Sequence, residues 1–240
     1  MISLKDKSAI VTGSTRGIGL AIAEALVEEG VNVVVSSRKQ ADVEQVRQRL
    51  SEKASTTVLG KACDVSDFEQ VEALVRYCCQ ELGGLDILIN NAGIGIFREV
   101  EQLSPEEWRS TLATNLDGVF YACHCAIPEM KKRENAFIIN IGSLAGKNAF
   151  PGGAAYNASK FGLLGFTEAL MQEVRHDDIR VACVMPGSVE TSFSGREPSS
   201  GETWKLTASD VAHVVIETLK RDPRCLTSRI EMRPSKPPKK

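Results

Sequence analysis

Short β-branched runs alternate with longer amphipathic stretches along almost the whole chain, and few folds accommodate that order. Residues 8–12 (SAIVT), 31–36 (VNVVVS), 56–62, 85–89 (LDILI), 136–141 (AFIINI), 179–185 (IRVACVM) and 226–232 read as strands. Residues 17–29, 41–53, 67–82, 105–132, 154–175 and 207–220 read as helical, with one or two helices in 105–132. In the first of these, Ile18, Ala21, Ile22, Ala25 and Leu26 share one helical face. Ser104 before Pro105 marks a helix start, and Thr207 or Ser209 another. Strands that are apolar nearly throughout are buried on both faces, which is the signature of a parallel sheet between helical layers. The expected fold is therefore α/β: a doubly wound parallel sheet of about seven strands with right-handed crossovers. A ligand is expected beyond the carboxyl ends of the strands. No repeat or internal linker interrupts the pattern, so residues 1–240 are expected to form a single domain.

Composition narrows the function classes. The 240 residues are 42% hydrophobic and 25% charged, with net charge -2. That balance gives no basic field for nucleic acid. No apolar run reaches about 18 residues, so no membrane span is expected. The first residues lack an apolar signal segment. Seven cysteines, none in a CxxC, read as reduced thiols, and a cytoplasmic location is expected. No metal site is expected, because Cys/His spacing for one is absent. Residues 188–206 read as a loop, the best candidate for a mobile substrate lid, and 233–240 as a basic, Pro-rich solvated tail. His124, His176 and His213 read as structural.

Between the first strand and first helix stands Thr12-Gly13-Ser14-Thr15-Arg16-Gly17-Ile18-Gly19. Glycines allow backbone amides to approach a pyrophosphate, and the helix N-terminus offers free N–H groups and a positive dipole end. The spacing is GxxxGxG rather than GxGxxG, but the flanking strand and helix supply the context such a loop requires. Further on, Tyr156 and Lys160 lie four residues apart at the start of a long helix, 13 residues after Ser143. Four-residue spacing puts them on one helical face. A tyrosine titrates near 10, and a neighbouring ammonium stabilises its phenolate and moves that value toward neutrality.

Together these motifs resemble the short-chain dehydrogenase/reductase family. Asn90-Asn91-Ala92-Gly93 matches its NNAG. Asn115, Ser143, Tyr156 and Lys160 match its catalytic set in order and spacing. Pro186-Gly187, with Thr191 following, matches the segment after strand six. The resemblance implies a Rossmann fold and an oxidoreductase that moves a hydride between nicotinamide and a carbonyl or alcohol carbon. It implies Tyr156 as general acid in reduction and base in oxidation, and Ser143 as a hydrogen-bond partner of the substrate oxygen. Lys160 would lower the Tyr156 pKa and hold the nicotinamide ribose, and Asn115 would hold a water linking Lys160 to solvent. Gly13, Ser14, Thr15, Arg16, Gly17, Ile18 and Gly19 would cradle the pyrophosphate. Asp64 and Val65 would meet the adenine, and Asn91, Ala92 and Gly93 would run along the cofactor. Pro186, Gly187, Val189 and Thr191 would wrap the nicotinamide.

An NAD enzyme would carry an acid after the second strand to accept the ribose 2′-hydroxyl. Here that place holds Ser37, followed by Arg38. Arg16 and Arg38 can clamp a 2′-phosphate, so NADP(H) is the expected cofactor. Ser143, Leu144, Ala145, Phe150, Gly153, Gly187, Phe193 and Trp204 are the candidate substrate residues. They are mostly apolar and suit a small or medium carbonyl or alcohol.

The sequence is similar to 3-oxoacyl-acyl-carrier-protein reductases through Asn157-Ala158-Ser159-Lys160 and the phosphate loop. An acyl-carrier-protein thioester is thus an expected substrate, with another small ketone, aldehyde or secondary alcohol as the alternative. The terminal strand departs from those relatives, with LTSRIEMRP at 226–234. The family implies a homodimer or homotetramer. A cofactor-binding regulator without turnover is a further alternative, against which Ser143, Tyr156 and Lys160 are all present.

Overall fold

The computed structural model describes residues 2–191, 193 and 204–238. Seven strands form one sheet: β1 (Ser8–Thr12), β2 (Asn32–Ser36), β3 (Val58–Gly60), β4 (Ile87–Asn90), β5 (Ala136–Ile141), β6 (Ile179–Pro186) and β7 (Arg229–Met232). Their order is β3-β2-β1-β4-β5-β6-β7 and every pairing is parallel. The helices are α1 (Gly17–Glu28), α2 (Gln40–Ser51), α3 (Phe68–Leu82), α4 (Pro105–Leu112), α5 (Gly118–Met130), α6 (Ala154–Val174) and α7 (Ala208–Leu219). This is the doubly wound parallel arrangement expected from the alternation.

Strand side chains alternate between two cores, as a period of two requires. Ala9, Val11, Ile87 and Ile89 face one core with Ile22 and Leu26 of α1, Val43 of α2 and Val215 of α7. Ile10, Leu88 and Ile138 face the other with Leu74 of α3, Ala122 of α5 and Leu163 of α6. Because strand order reverses between β1 and β4, a crevice opens beyond their carboxyl ends.

The edges depart from expectation. β3 keeps only three of the residues at 56–62, and β7 begins at Arg229 rather than 226. Each has one neighbour, so pairing ends where a single register runs out. Residues 105–132 form two helices joined by a π-turn, Ala113–Asp117. Ser104 does cap α4, in a reciprocal capping box with Glu107. Thr207 does the same for α7 with Asp210. Of the loop expected at 188–206, residues 192 and 194–203 lie outside the described residues, as do 239 and 240 of the tail. The described ends of that loop meet, with the Glu190 N–H donating to the Leu206 carbonyl at 2.8 Å. No helix among the described residues is long and apolar enough to cross a membrane. None of them forms a His/Cys/Asp/Glu cluster fit for a metal.

At the amino ends of the strands a buried carboxylate, Asp86, meets two half-buried cations. Asp86 accepts from the Ser8 N–H at 2.8 Å, the Ser8 hydroxyl at 2.9 Å and Arg133 at 3.1 Å and 3.2 Å. Lys7 stands 3.5 Å away. Burial alone would raise the Asp86 pKa, but Arg133, Ser8 and Lys7 outweigh it and hold the carboxyl below its ordinary value. Arg133 and Lys7 keep access to solvent, so Asp86→Asn should destabilise the fold by about 1.5–3 kcal/mol, the range for hydrogen bonds to a charged group. A depressed carboxylate stabilises above its unfolded pKa and loses that contribution as pH falls through the folded value. Urea unfolding at pH 7 and pH 3 checks both points: the gap between wild type and variant should narrow in acid.

Candidate active site

The site assembles where strand ends and helix starts converge. Thr12 ends β1, and its hydroxyl accepts from the N–H groups of Asn91 at 3.0 Å and Ala92 at 3.1 Å. Asn91 answers by donating its amide to the carbonyls of Thr12 at 2.9 Å and Gly13 at 3.0 Å. The turn after β1 is thus stitched to the segment after β4. Gly13 adopts φ +64°, and a Cβ there would sit 2.9 Å from Ala92 Cα. A Cβ on Gly19 would overlap the Gly13 carbonyl and the Asn91 side chain. Both positions require glycine for the fold of the loop itself. Arg16 precedes α1 and offers no side-chain cap to its first turn.

One cavity of about 820 Å³ runs from this turn to the start of α6. Of the expected cofactor residues, Gly13, Thr15, Arg16, Gly17, Ile18, Ser37, Arg38, Asp64, Val65, Asn91, Ala92, Gly93, Tyr156, Lys160, Pro186, Gly187, Val189 and Thr191 all line it. Ser14 and Gly19 do not. Ser14 is buried behind the loop, where its hydroxyl donates to the Val11 carbonyl and accepts from the Ser36 N–H, each at 2.8 Å. It ties β2 to the loop. Gly19 is taken up in the packing just described.

The α2 side of the cavity was not legible from motifs. Lys39, Asp42, Gln45 and Val46 line it beside Arg38. Three cations, Arg16, Arg38 and Lys39, therefore face two acids, Asp42 and Asp64. Asp64 is already engaged, its carboxylate accepting from the Ser66 N–H at 3.0 Å and hydroxyl at 2.7 Å. Ile94, which follows the Asn90–Gly93 segment and was expected on the nicotinamide side, lines it too, and Cys63, Thr114, Ile141 and Gly142 are further lining residues that no motif flagged.

At the other end stand Ser143, Tyr156 and Lys160. Ser143 leaves β5, Tyr156 lies in the first turn of α6, and Lys160 follows one turn later. Tyr156 is buried between two rings, Phe97 at 5.6 Å and Phe193 at 5.8 Å. Burial pushes its phenol above the ordinary value, and the Ser143 hydroxyl pulls the other way. The expected lowering by Lys160 is not what the protein alone produces. Lys160 is buried too, its Nζ donates to the Ile141 carbonyl at 2.9 Å, and it lies 5.9 Å from the Tyr156 ring centroid. Burial lowers its own pKa to about 8, which leaves less positive charge to stabilise a phenolate.

Asn115 lies in the π-turn, a deviation often found at functional sites. Its side chain makes three hydrogen bonds to protein. Oδ1 accepts from the Ile94 N–H at 2.8 Å, and Nδ2 donates to the Ile94 carbonyl at 2.9 Å and Ser159 Oγ at 3.0 Å. It fixes the cavity wall at Ile94 and bonds α6 one residue before Lys160.

On the expected substrate side, Ser143, Gly187 and Phe193 line the cavity, whereas Leu144, Ala145, Phe150, Gly153 and Trp204 do not. Leu144 turns toward Gly187, Phe150 packs on Phe97 at 5.8 Å, and Trp204 lies under Lys205. Burial pushes the thiols of Cys63, in the cavity wall, and Cys123 up to about 12, so both stay protonated and neutral.

Comparison with known proteins agrees with this architecture. The family model described as short chain dehydrogenase matches residues 7–200. An uncharacterized oxidoreductase of Staphylococcus saprophyticus is 31% identical over 234 residues, 98% of this chain and 100% of that protein. The 3-oxoacyl-acyl-carrier-protein reductase FabG of Chlamydia muridarum is 38% identical over 191 residues, 80% of this chain and 77% of that protein. The alcohol dehydrogenase of Thermococcus sibiricus, solved in complex with 5-hydroxy-NADP, superposes with a TM-score of 0.91 at 27% identity. That match covers 98% of this chain and 99% of that one. With the phosphate-type loop, the Tyr156/Lys160 pair and the sheet order all in register, the chain belongs to the short chain dehydrogenase family of oxidoreductases.

Proposed function

We propose that this protein is an NADP(H)-dependent reductase that interconverts a ketone and its secondary alcohol. The observation that carries the proposal is a single cavity with a glycine-built anion cradle at one end and the Ser143–Tyr156–Lys160 group at the other. The residues fit a dinucleotide. The first turn of α1 has no side-chain cap, and the cations Arg16, Arg38 and Lys39 stand where a 2′-phosphate would add negative charge. When bound, the nicotinamide supplies the hydride. The chain supplies the rest. Tyr156 holds a proton at its phenol oxygen and gives it to the carbonyl oxygen during reduction. Ser143 orients that oxygen. Lys160 would hold the nicotinamide ribose, and Asn115 keeps the wall at Ile94 in place. Phe97 and Phe193 exclude bulk water from the phenol.

A 3-oxoacyl thioester on acyl carrier protein is the first substrate class on this reading, since that FabG relative shares 38% identity. Another small ketone, aldehyde or secondary alcohol is the alternative, to which Ile94 and Phe193 would offer apolar contact at the catalytic end. Assembly as a homodimer or homotetramer through α5 and α6 belongs to the same reading. Phe120 and Phe161 stand 48% and 46% exposed on those helices.

The test is NADPH oxidation against 3-oxoacyl thioesters, diketones and aldehydes, repeated with NADH and with Arg38→Asp. Turnover with NADPH at least ~10-fold above NADH is expected, and Arg38→Asp should erase that preference, because one charge-assisted contact to phosphate is worth about 1.5–3 kcal/mol. Preference for NADH, or an Arg38→Asp variant with unchanged preference, overturns the cofactor assignment. Binding without turnover of any carbonyl favours a regulator instead.

A further inference from the structure

Asn157 follows Tyr156 and falls between the two letters of the YxxxK spacing. It is buried, and its side chain is spent on one loop. The amide donates to the Ala145 carbonyl at 2.7 Å and to the Asn148 carbonyl at 3.4 Å. Its oxygen accepts from the Phe150 N–H at 3.3 Å. Ala145 in turn donates its N–H to Ser143 Oγ at 3.1 Å. A chain of contacts runs from Tyr156 to Asn157 along the backbone, from Asn157 to Ala145 and from Ala145 to Ser143, whose hydroxyl draws the phenol's titration downward.

The loop has little slack elsewhere. A Cβ on Gly153 would strike both the Asn157 oxygen and the Phe150 ring. Lys147 pairs with Glu231 of β7 at 2.7 Å, fastening the loop on its other side. Phe150 packs on Phe97, which packs on Tyr156.

We propose that Asn157 is a positioning residue: by clamping loop 143–150 onto the first turn of α6, it holds the Ser143 hydroxyl against the Tyr156 phenol. The inference rests on the reductase reading above. Asn157 touches neither substrate nor cofactor on this view; it acts through Ser143. Among the described residues, the titratable groups on this side are Lys160 on the same helix and, against Lys160, Cys183 of β6. Phe97 and Phe193 on the remaining sides carry no charge. Freeing the loop therefore removes the pull of Ser143 on the phenol and leaves burial unopposed. The phenol should then lose its proton at higher pH. Alcohol oxidation needs the deprotonated form, so its rising limb should move upward.

The experiment compares Asn157→Ala with wild type for kcat and KM, the pH profile of alcohol oxidation, NADPH affinity and melting temperature. The expected result is a kcat lower by roughly 10- to 100-fold, the scale for a small misplacement of a catalytic group. The pH limb should rise by about half a unit or more, with NADPH affinity within about twofold of wild type. Asn157→Ser replaces it if the alanine variant does not fold. Asp86→Asn serves as the control for lost stability, since it lies at the opposite end of the sheet; its limb should not move. On a Ser143→Ala background, Asn157→Ala should shift the limb no further, because coupled residues are not additive. A wild-type limb and kcat in the Asn157 variant, an equal shift in Asp86→Asn, or additive shifts with Ser143→Ala would each overturn the proposal. If Tyr156→Phe remains active the reductase reading falls; if it is inactive while Asn157→Ala is normal, only this inference falls.

Discussion

Replacing Tyr156 with phenylalanine should cut turnover by ~10²- to 10⁴-fold, the usual contribution of a positioned general acid, and leave NADPH affinity within a few-fold of wild type. The ring would keep its place between Phe97 and Phe193, so only the hydroxyl is lost. Among the described residues, neither Ser143 nor Lys160 can substitute for it. The Ser143 hydroxyl is far too weak an acid near neutrality. The Lys160 ammonium is directed at the Ile141 carbonyl. Burial keeps the Tyr156 phenol protonated at neutral pH, which is the form reduction requires, so wild-type reduction should hold its rate up to alkaline pH. Steady-state NADPH oxidation with a fluorescence titration of the cofactor separates the two effects. Wild-type turnover in the variant would remove Tyr156 from the chemistry.

Lys160→Met should produce a catalytically poor but more stable protein. Lys160 is 6% exposed and its pKa falls from 10.5 to about 8 on burial. In that interval the unfolded chain binds a proton that the folded chain does not, so stability rises with pH. Below about pH 8 both states are protonated, and the fold carries the cost of the buried ammonium. Methionine removes that cost, at the loss of one hydrogen bond to Ile141. A net gain of about 1–3 kcal/mol at pH 7 is expected. The gain should shrink between about pH 8 and pH 10.5 as the wild-type lysine discharges. Urea unfolding at pH 7 and pH 10 measures it. Turnover should fall by at least ~10²-fold at every pH. A less stable variant at pH 7 would mean that Lys160 is satisfied by its surroundings rather than strained by them.

Much of this molecule was legible in the residues, for reasons that differ along the chain. β1, β4 and β5 are apolar throughout because both faces are covered, so alternation alone placed them. β3 and β7 have one partner each, and the length of an edge strand depends on pairing that composition does not encode. The π-turn at 113–117 departs from α periodicity by too little to register in a pattern of apolar positions. Motifs identified the glycine turn and the Tyr156/Lys160 pair because backbone approach and helical spacing leave letters in the sequence. They could not identify Lys39, Asp42 or Gln45, whose place in the cavity comes from how α2 packs against β2 and β3. The same holds for the titration of Tyr156. Four-residue spacing predicted a downward pull from Lys160, but burial of both groups is a tertiary property and reverses the direction in the protein alone.

The interlocked turn after β1 has a consequence for how defects in this protein would be interpreted. Thr12 and Asn91 hold the turn shut through four hydrogen bonds made within the protein, and Gly19, having no side chain, lets Gly13 and Asn91 close against α1. The turn's conformational entropy is therefore lost during folding, not on encounter with a ligand, and none of it is subtracted from affinity. Damage to Thr12 or Gly19 would reopen that entropy and weaken capture of a dinucleotide without removing a contact to it. In a genetic screen such positions would be indistinguishable from true contact residues, although their work is finished before the ligand arrives.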